Sequence, residues 1–315
     1  MNKICVIIPW YGKLPEYFPL FLKGLEYNKN IIDVLFITDH HSTKNLPRNL
    51  KIFQIPLEKL IEKISSSLDS DILIETPYKL CDYKPMLGKI FASEIVDYDF
   101  WGYGDIDIIY GDLSKFFTLE NLNRYDIFTF REYIISGALT ILKNNEYTRT
   151  LFMKSPDLGK IYSNRNYIGF DEAGKKIEKC RERIPAYKLK FIDNFTCWSS
   201  ILHKEFDMGK LNLYSKYELV EVINKYTIYK YELGEFKLGL DEYVGYHFIS
   251  EKKASYQRFP SWNKVPETFY IHRTGFYPKI NLNFYFLSLY RILFSKVTNF
   301  YMRFYDMINY RILQK

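Results

Sequence analysis

The run ICVIIPW at 4–10 is apolar throughout, and VLFIT at 34–38 repeats the pattern one helix-length later. Unbroken apolar runs of this size read as strands covered on both faces. Between them, residues 15–28 open on Pro15 and place Phe18, Phe21, Leu22 and Leu25 at helical spacing. Strand, helix and strand in that order make a parallel pair with a right-handed crossover. The chain is therefore expected to be α/β, a Rossmann-like, mixed but mainly parallel sheet flanked by helices.

The same reading continues with a strand at 51–55, a helix at 57–67 and a helix from Pro85 to about Val96, where proline suits the first turn. Strands are expected at 106–110, 125–130 and 138–142, and helices at 144–154 and 171–182. Shorter strands follow at 219–223, 226–231, 243–249 and 267–272. No repeat or low-complexity linker interrupts the chain, so one domain is expected over 1–278. Hydrophobic residues make up 47% of the chain, enough for a core, and most of its 29 Tyr and 25 Phe are expected to fill it.

Cys5, Cys81, Cys180 and Cys197 form no CxxC pair and have no histidine at zinc spacing, which reads as reduced thiols in a cytoplasmic protein. The N-terminus lacks a signal-peptide pattern, and no run approaches the ~18 apolar residues of a membrane span. The net charge of +7 is concentrated in residues 279–315, where six basic residues face only Asp306. A broad nucleic-acid face is not expected on the rest of the chain. Within that tail, Phe286, Tyr290, Leu293, Val297, Phe300, Phe304 and Ile308 recur every three or four residues. This marks an amphipathic helix. It would either dock on its own domain, lie on an anionic membrane surface, or bind a partner.

The chemistry concentrates in FWGYGDIDIIYGDL, residues 100–113. Asp69/Asp71 share the D-x-D spacing but follow SSSL as a solvated loop, and Asp97/Asp99 flank Tyr98 before the strand as a cap or turn, whereas Asp105 and Asp107 interrupt an apolar, glycine-bearing run. On a strand both would project to one side. Neighbouring carboxylates repel, and a hard divalent cation with oxygen ligands relieves them. Gly102 and Gly104 would let a ligand approach the backbone. The stretch lacks the third glycine of a dinucleotide fingerprint and the further oxygen ligands of an EF-hand. A metal–nucleotide site and a structural acidic turn both stay open on the residues alone.

The ordered set resembles nucleotide-sugar glycosyltransferases with the GT-A fold. SGALTILKNN (136–145), FDE (170–172) and HFISEKK (247–253) are similar to stretches of retaining hexosyltransferases in the glycogenin and lipopolysaccharide galactosyltransferase group. IPWYGKLPEYFPLFLKGLEYN, PYKLCDYKPMLGKIF and YDFWGYGDIDIIYGDL are similar to bacterial capsular-polysaccharide galactosyl- and glucosyltransferases. The resemblance spans roughly 3–278. It implies a UDP-hexose donor, with Mn²⁺ or Mg²⁺ held by Asp105, Asp107 and His247. It further implies Pro9, Tyr11 and Asp39 at the uridine, Lys84, Gly104 and Lys253 toward the diphosphate or donor sugar, and Asp171 and Glu172 at the reacting hexose. Asp82 would orient Lys84 or cap its helix. Two positions depart from the pattern: Ser250 replaces the glycine of H-x-x-G-x-x-K, and Glu172 replaces an amide. The implied acceptor is a lipid-linked oligosaccharide at the inner face of the plasma membrane, which would make the protein peripheral there. The alternatives are a non-enzymatic carbohydrate-binding or membrane-adaptor protein, and a sugar-phosphate nucleotidyltransferase.

Overall fold

The computed structural model describes residues 3–40, 46–132, 134–172, 196–249, 252, 254, 257–262 and 264–293. The expected helix at 171–182 beyond Glu172, Cys180, Ser250, Lys253 and the tail beyond Leu293 lie outside the described residues.

The expected opening unit is present as β1 (Ile4–Pro9), α1 (Phe18–Tyr27) and β2 (Ile32–Thr38). β1 and β2 pair in parallel, and β3 (Leu50–Gln54) extends the parallel set beyond β2. β1 is buried on both faces because its residues alternate between two cores. Ile4, Val6 and Ile8 pack with Phe18, Phe21 and Leu25 of α1. Cys5 and Ile7 pack with Leu60 and Ile64 of α2 (Leu57–Leu68). Two apolar layers on one strand explain a run with no polar interruption.

β4 (Phe100–Gly104) pairs in parallel with the other side of β1. The chain then runs through β5 (Ile108–Tyr110), β6 (Ile127–Thr129), β7 (Leu139–Lys143) and β8 (Leu213–Ser215). The central sheet has the order β3-β2-β1-β4-β7-β6-β8. β7 is antiparallel to both β4 and β6, and the other pairs are parallel. The result is the expected mixed, mainly parallel sheet with helices on its faces.

The C-terminal part of the described chain adds β9 (Leu219–Val220), β10 (Tyr229–Glu232), β11 (Glu235–Leu238), β12 (Asp241–Glu242), β13 (Gly245–His247), β14 (Thr268–His272) and β15 (Gly275–Tyr277). β12-β11-β10-β14-β15 form one sheet, and β5-β13-β9 form a small third one. Trp101, Trp198, Tyr83, Tyr103, Tyr110, Tyr231 and Tyr246 are all fully buried, so much of the aromatic content is core.

Three expectations change. The strand placed at 106–110 is present only as β5, and β4 ends before it at Gly104 in a different sheet, with Asp105–Asp107 between the two. The helix placed at 85–96 is a 3₁₀ segment over Pro77–Met86, followed only by α3 (Leu87–Ile90). Pro85 lies inside this segment instead of opening a helix, and with no N–H to donate back toward Cys81 it interrupts α-helical bonding there. The tail helix, described over 282–293, docks through Phe284, Ser288 and Arg291. Arg291 donates from Nη1 to Thr274 O and to Tyr277 Oη, both at 2.9 Å. The periodic residues Phe286, Tyr290 and Leu293 lie two positions on, about 200° around the helix. They remain 70%, 61% and 51% exposed.

Candidate metal site

β1 and β4 end side by side, and a cavity of about 330 Å³ opens beyond their carboxyl ends. Ligands in α/β sheets favour this edge. Asp105 still belongs to the sheet edge, because its N–H donates to Ala138 O at 3.1 Å. From Ile108 onward the chain is in the three-stranded sheet. Asp105 and Asp107 thus occupy the switch from one sheet to the other, and both line the cavity.

Sheet register brings the third ligand candidate to them. β13 is antiparallel to β5 with His247 opposite Ile108, and Phe248 N donates to Asp107 O at 3.0 Å. His247 Nε2 lies 3.5 Å from Asp107 Oδ1 and 4.0 Å from Asp105 Oδ2. One ligand atom from each of Asp105, Asp107 and His247 can be chosen so that all lie within 4.8 Å of one another.

The fourth member is Glu221. β9 runs parallel to β13 in the register Leu219↔Gly245 and Val220↔Tyr246, so the next residue, Glu221, falls beside His247. His247 Nδ1 is 3.0 Å from Glu221 Oε1, which accepts its proton. This leaves Nε2, the atom facing the two aspartates, buried and without a hydrogen-bond partner. Buried polar nitrogens are rarely left so. A histidine whose far nitrogen is fixed by a carboxylate while the near one is unmet has the arrangement of a metal ligand. The residues therefore fit a divalent cation: two carboxylates, one oriented imidazole, and a cavity in which phosphate oxygens can complete the shell.

Charges around the cluster are strongly coupled. Burial alone would raise the Asp107 carboxyl, but His247 and Lys252 overcome this and hold it below the usual carboxylate range. Burial would likewise push His247 down, yet Asp107 and Glu221 carry it up to about 10. Glu221 is desolvated too, and His247 and Arg131 bring it down to about 2. Lys252 Nζ donates to Asp107 Oδ2.

Lys84 sits at the end of the 3₁₀ segment, almost completely buried. Its Nζ donates to Asp105 Oδ1 at 2.7 Å and to Gly137 O at 3.0 Å, and lies 3.8 Å from Asp171 Oδ2. Burial disfavours its charge, but Asp105 and Asp171 hold the ammonium well above an ordinary lysine. Asp171 is also buried and accepts from Tyr167 Oη at 3.0 Å. Desolvation raises its carboxyl well above the usual range, with Glu172 and Asp82 adding to the effect against Lys84. Glu172 Oε1 accepts from Gly137 N at 2.8 Å and from Arg131 Nη1 at 3.2 Å. A Cβ at Gly137 would lie 2.9 Å from Glu172 Oε1 and 3.1 Å from Asp171 Oδ2, so glycine there gives both carboxylates their space.

Asp82 does neither of the things expected of it. Fully buried, it pairs with Lys79 at 2.8 Å and accepts from the backbone N–H groups of Ile168, Gly169 and Phe170 at 2.7–2.9 Å. It therefore fixes the loop that delivers Asp171, rather than orienting Lys84. Cys81, one of the four thiols, lines the same cavity.

Pro9 and Tyr11 also line the cavity, and Tyr11 Oη donates to Ile55 O at 3.0 Å. Asp39 is at the end of β2, half-exposed and not among the lining residues. Gly104 serves packing instead of ligand approach. A Cβ there would meet Ala138 O at 3.0 Å and Tyr110 Oη and Val6 Cγ1 at 3.4 Å, all protein atoms. Gly102 is tighter still, since a Cβ would stand 2.3 Å from Thr140 O, so it admits β7 rather than a ligand. Glu221, Arg131 and Lys252 join the site without having been expected there. The first two are set by strand register, and Lys252 differs from the expected Lys253 by one position.

A family model described as a family of unknown function, DUF6625, matches residues 6–280. The chain belongs to the DUF6625 family. No curated protein matches this DUF6625 chain. Among solved structures, it is similar to a crystal structure of the glycosyltransferase GlyE in Streptococcus pneumoniae TIGR4, with 14% identity and a TM-score of 0.30 over 71% of this chain and 67% of that one. The apo-form structure of GlyE gives 13% identity and a TM-score of 0.28 over 72% and 70%. At those TM-scores the likeness carries nothing about activity, and the chemistry of the DUF6625 site rests on its own geometry.

Proposed function

We propose that this chain is a metal-dependent hexosyltransferase of GT-A type, taking galactose or glucose from a UDP-sugar to a lipid-linked oligosaccharide in surface or capsular polysaccharide synthesis. The observation that carries the reading is the buried His247 Nε2, which has no hydrogen-bond partner, faces Asp105 and Asp107, and is locked from behind by Glu221. Asp105, Asp107 and His247 would hold Mn²⁺ or Mg²⁺, which supplies Lewis-acid stabilisation of charge on the departing diphosphate. Lys84 places a fixed positive charge on the same side. Pro9 and Tyr11 offer a wall for the base. Asp171 lines the cavity, and burial raises its carboxyl well above the usual range. A carboxyl of this kind can donate to a sugar hydroxyl at rest and turn anionic as positive charge develops on the ring. Stereochemical retention follows the sequence resemblance.

The catalytic unit would be 1–278 and the tail 279–315 a membrane-facing element at the cytoplasmic side. Phe286, Tyr290 and Leu293 face outward there, beside a basic sequence. Among the described residues no helix is long and apolar enough to cross a membrane.

The test is a screen of UDP-sugars for UDP release with Mn²⁺, Mg²⁺ or EDTA. Release from UDP-galactose or UDP-glucose that needs metal is expected. Metal-independent release, or none with any sugar in well-folded protein, refutes the reading. In sedimentation with phosphatidylglycerol vesicles, full-length protein should bind and protein lacking 284–315 should not, with salt weakening the binding. Equal binding by both forms refutes the membrane role.

A further inference from the structure

A ring of polar contacts runs around the cavity from one proposed metal ligand back to another. It starts at His247, whose Nδ1 is held by Glu221 Oε1. The other oxygen of Glu221, Oε2, takes Arg131 Nε at 2.8 Å and Nη2 at 2.6 Å. The remaining arm of the same guanidinium, Nη1, reaches Glu172 Oε1 at 3.2 Å. Glu172 Oε1 also takes Gly137 N, and Gly137 O takes Lys84 Nζ, which ends on Asp105 Oδ1. Arg131 bonds two carboxylates from separate parts of the chain through different nitrogens of one guanidinium. Its backbone is pinned as well, because Ser215 Oγ donates to Arg131 O at 2.8 Å.

We infer that Arg131 is a positioning residue that ties the metal-ligand side of the site to its sugar-donor side, by holding Glu221 and Glu172 on one guanidinium. This rests on the metal reading above. The link depends on fork geometry: a guanidinium presents five N–H donors in a rigid plane, whereas an ammonium is a point charge on a flexible stem. Lysine at 131 would keep the charge between the two carboxylates but could not bond both in this arrangement. Glu172 would then lose its hold on Glu221, and Glu221 its grip on the imidazole. Partners that orient metal-bound histidines are typically worth 10–100-fold in metal affinity.

The experiment measures Mn²⁺ affinity of the full chain without donor, from the EPR signal of free Mn²⁺, for wild type, Arg131→Lys, Glu172→Gln and the double variant, with melting temperatures alongside. Arg131→Lys is expected to weaken Mn²⁺ about tenfold. Glu172→Gln is expected to weaken it about threefold in the wild-type background and not at all beside Arg131→Lys, a non-additive cycle. A purely structural Arg131 would lower the melting temperature and leave the Glu172→Gln effect the same in both backgrounds, and that result overturns the link. Should Arg131→Lys not fold, Glu172→Gln decides alone: unchanged Mn²⁺ affinity overturns the link. If folded wild-type protein takes up no Mn²⁺, the metal reading itself falls, which separates its failure from failure of the Arg131 link.

Discussion

Asp107→Asn is expected to cut metal-dependent UDP release by at least about 10²–10³-fold, the usual scale for loss of one group that stabilises charge in a transition state, while the protein stays folded. The substitution is isosteric. Its amide oxygen can still accept from Lys252, and the backbone bond from Phe248 N to Asp107 O is untouched. What disappears is one negative charge from the face shared with His247 Nε2, 3.5 Å away. Asp105→Asn is the milder comparison, because Asp105 is 28% exposed against 7% for Asp107 and already shares its charge with Lys84 at 2.7 Å. Calorimetric titration of Mn²⁺ into both variants, with UDP release measured in parallel, checks the order. Full UDP release by Asp107→Asn in the presence of metal would remove this aspartate from the site and leave a structural acidic turn as its explanation.

The parts legible in the sequence are those written in local periodicity. The β1-α1-β2 unit follows from apolar runs and helical spacing alone, because each element buries itself through its own pattern. The break at Asp105–Asp107 was not legible as a change of sheet. FWGYG and IIY are both apolar, and periodicity does not distinguish a strand that continues from one that crosses to another sheet. The D-x-D pair could be singled out by its surroundings, but the reason it sits in a cavity lies in that crossing. Glu221 and Arg131 carried no local signal. Each is a charged residue just past a short strand, and only the pairings of β9 with β13 and of β6 with its neighbours place them. The tail stripe was legible as a stripe, whereas its direction was not. Docking is decided by Arg291 meeting Thr274 and Tyr277, and this turns the aromatic side outward.

Asp171→Asn is expected to abolish transfer and, at the same time, to raise the melting temperature at pH 8. Asp171 is almost fully buried, and its folded carboxyl titrates well above the ordinary aspartate because of desolvation, with Glu172 and Asp82 contributing and Lys84 opposing. The sign follows from linkage. Between about pH 3.9 and the raised folded value, the unfolded chain has lost this proton while the native state retains it. The contribution of the group to stability is therefore fully present below that pH and is lost as pH rises through the folded pKa, by about 1.4 kcal/mol for each unit separating the two. Asparagine keeps an oxygen for Tyr167 Oη, 3.0 Å away, and has no charge to bury. A higher melting temperature than wild type at pH 8, with the difference vanishing near pH 4, is the expected pattern. A variant that melts lower than wild type at pH 8 would mean that Asp171 is ionised and stabilises the fold through Lys84, 3.8 Å away. A variant that gains stability and keeps its activity would place the carboxyl outside the chemistry. Loss of transfer together with gained stability is the outcome in which a destabilising acid is kept beside the donor sugar because the reaction uses it.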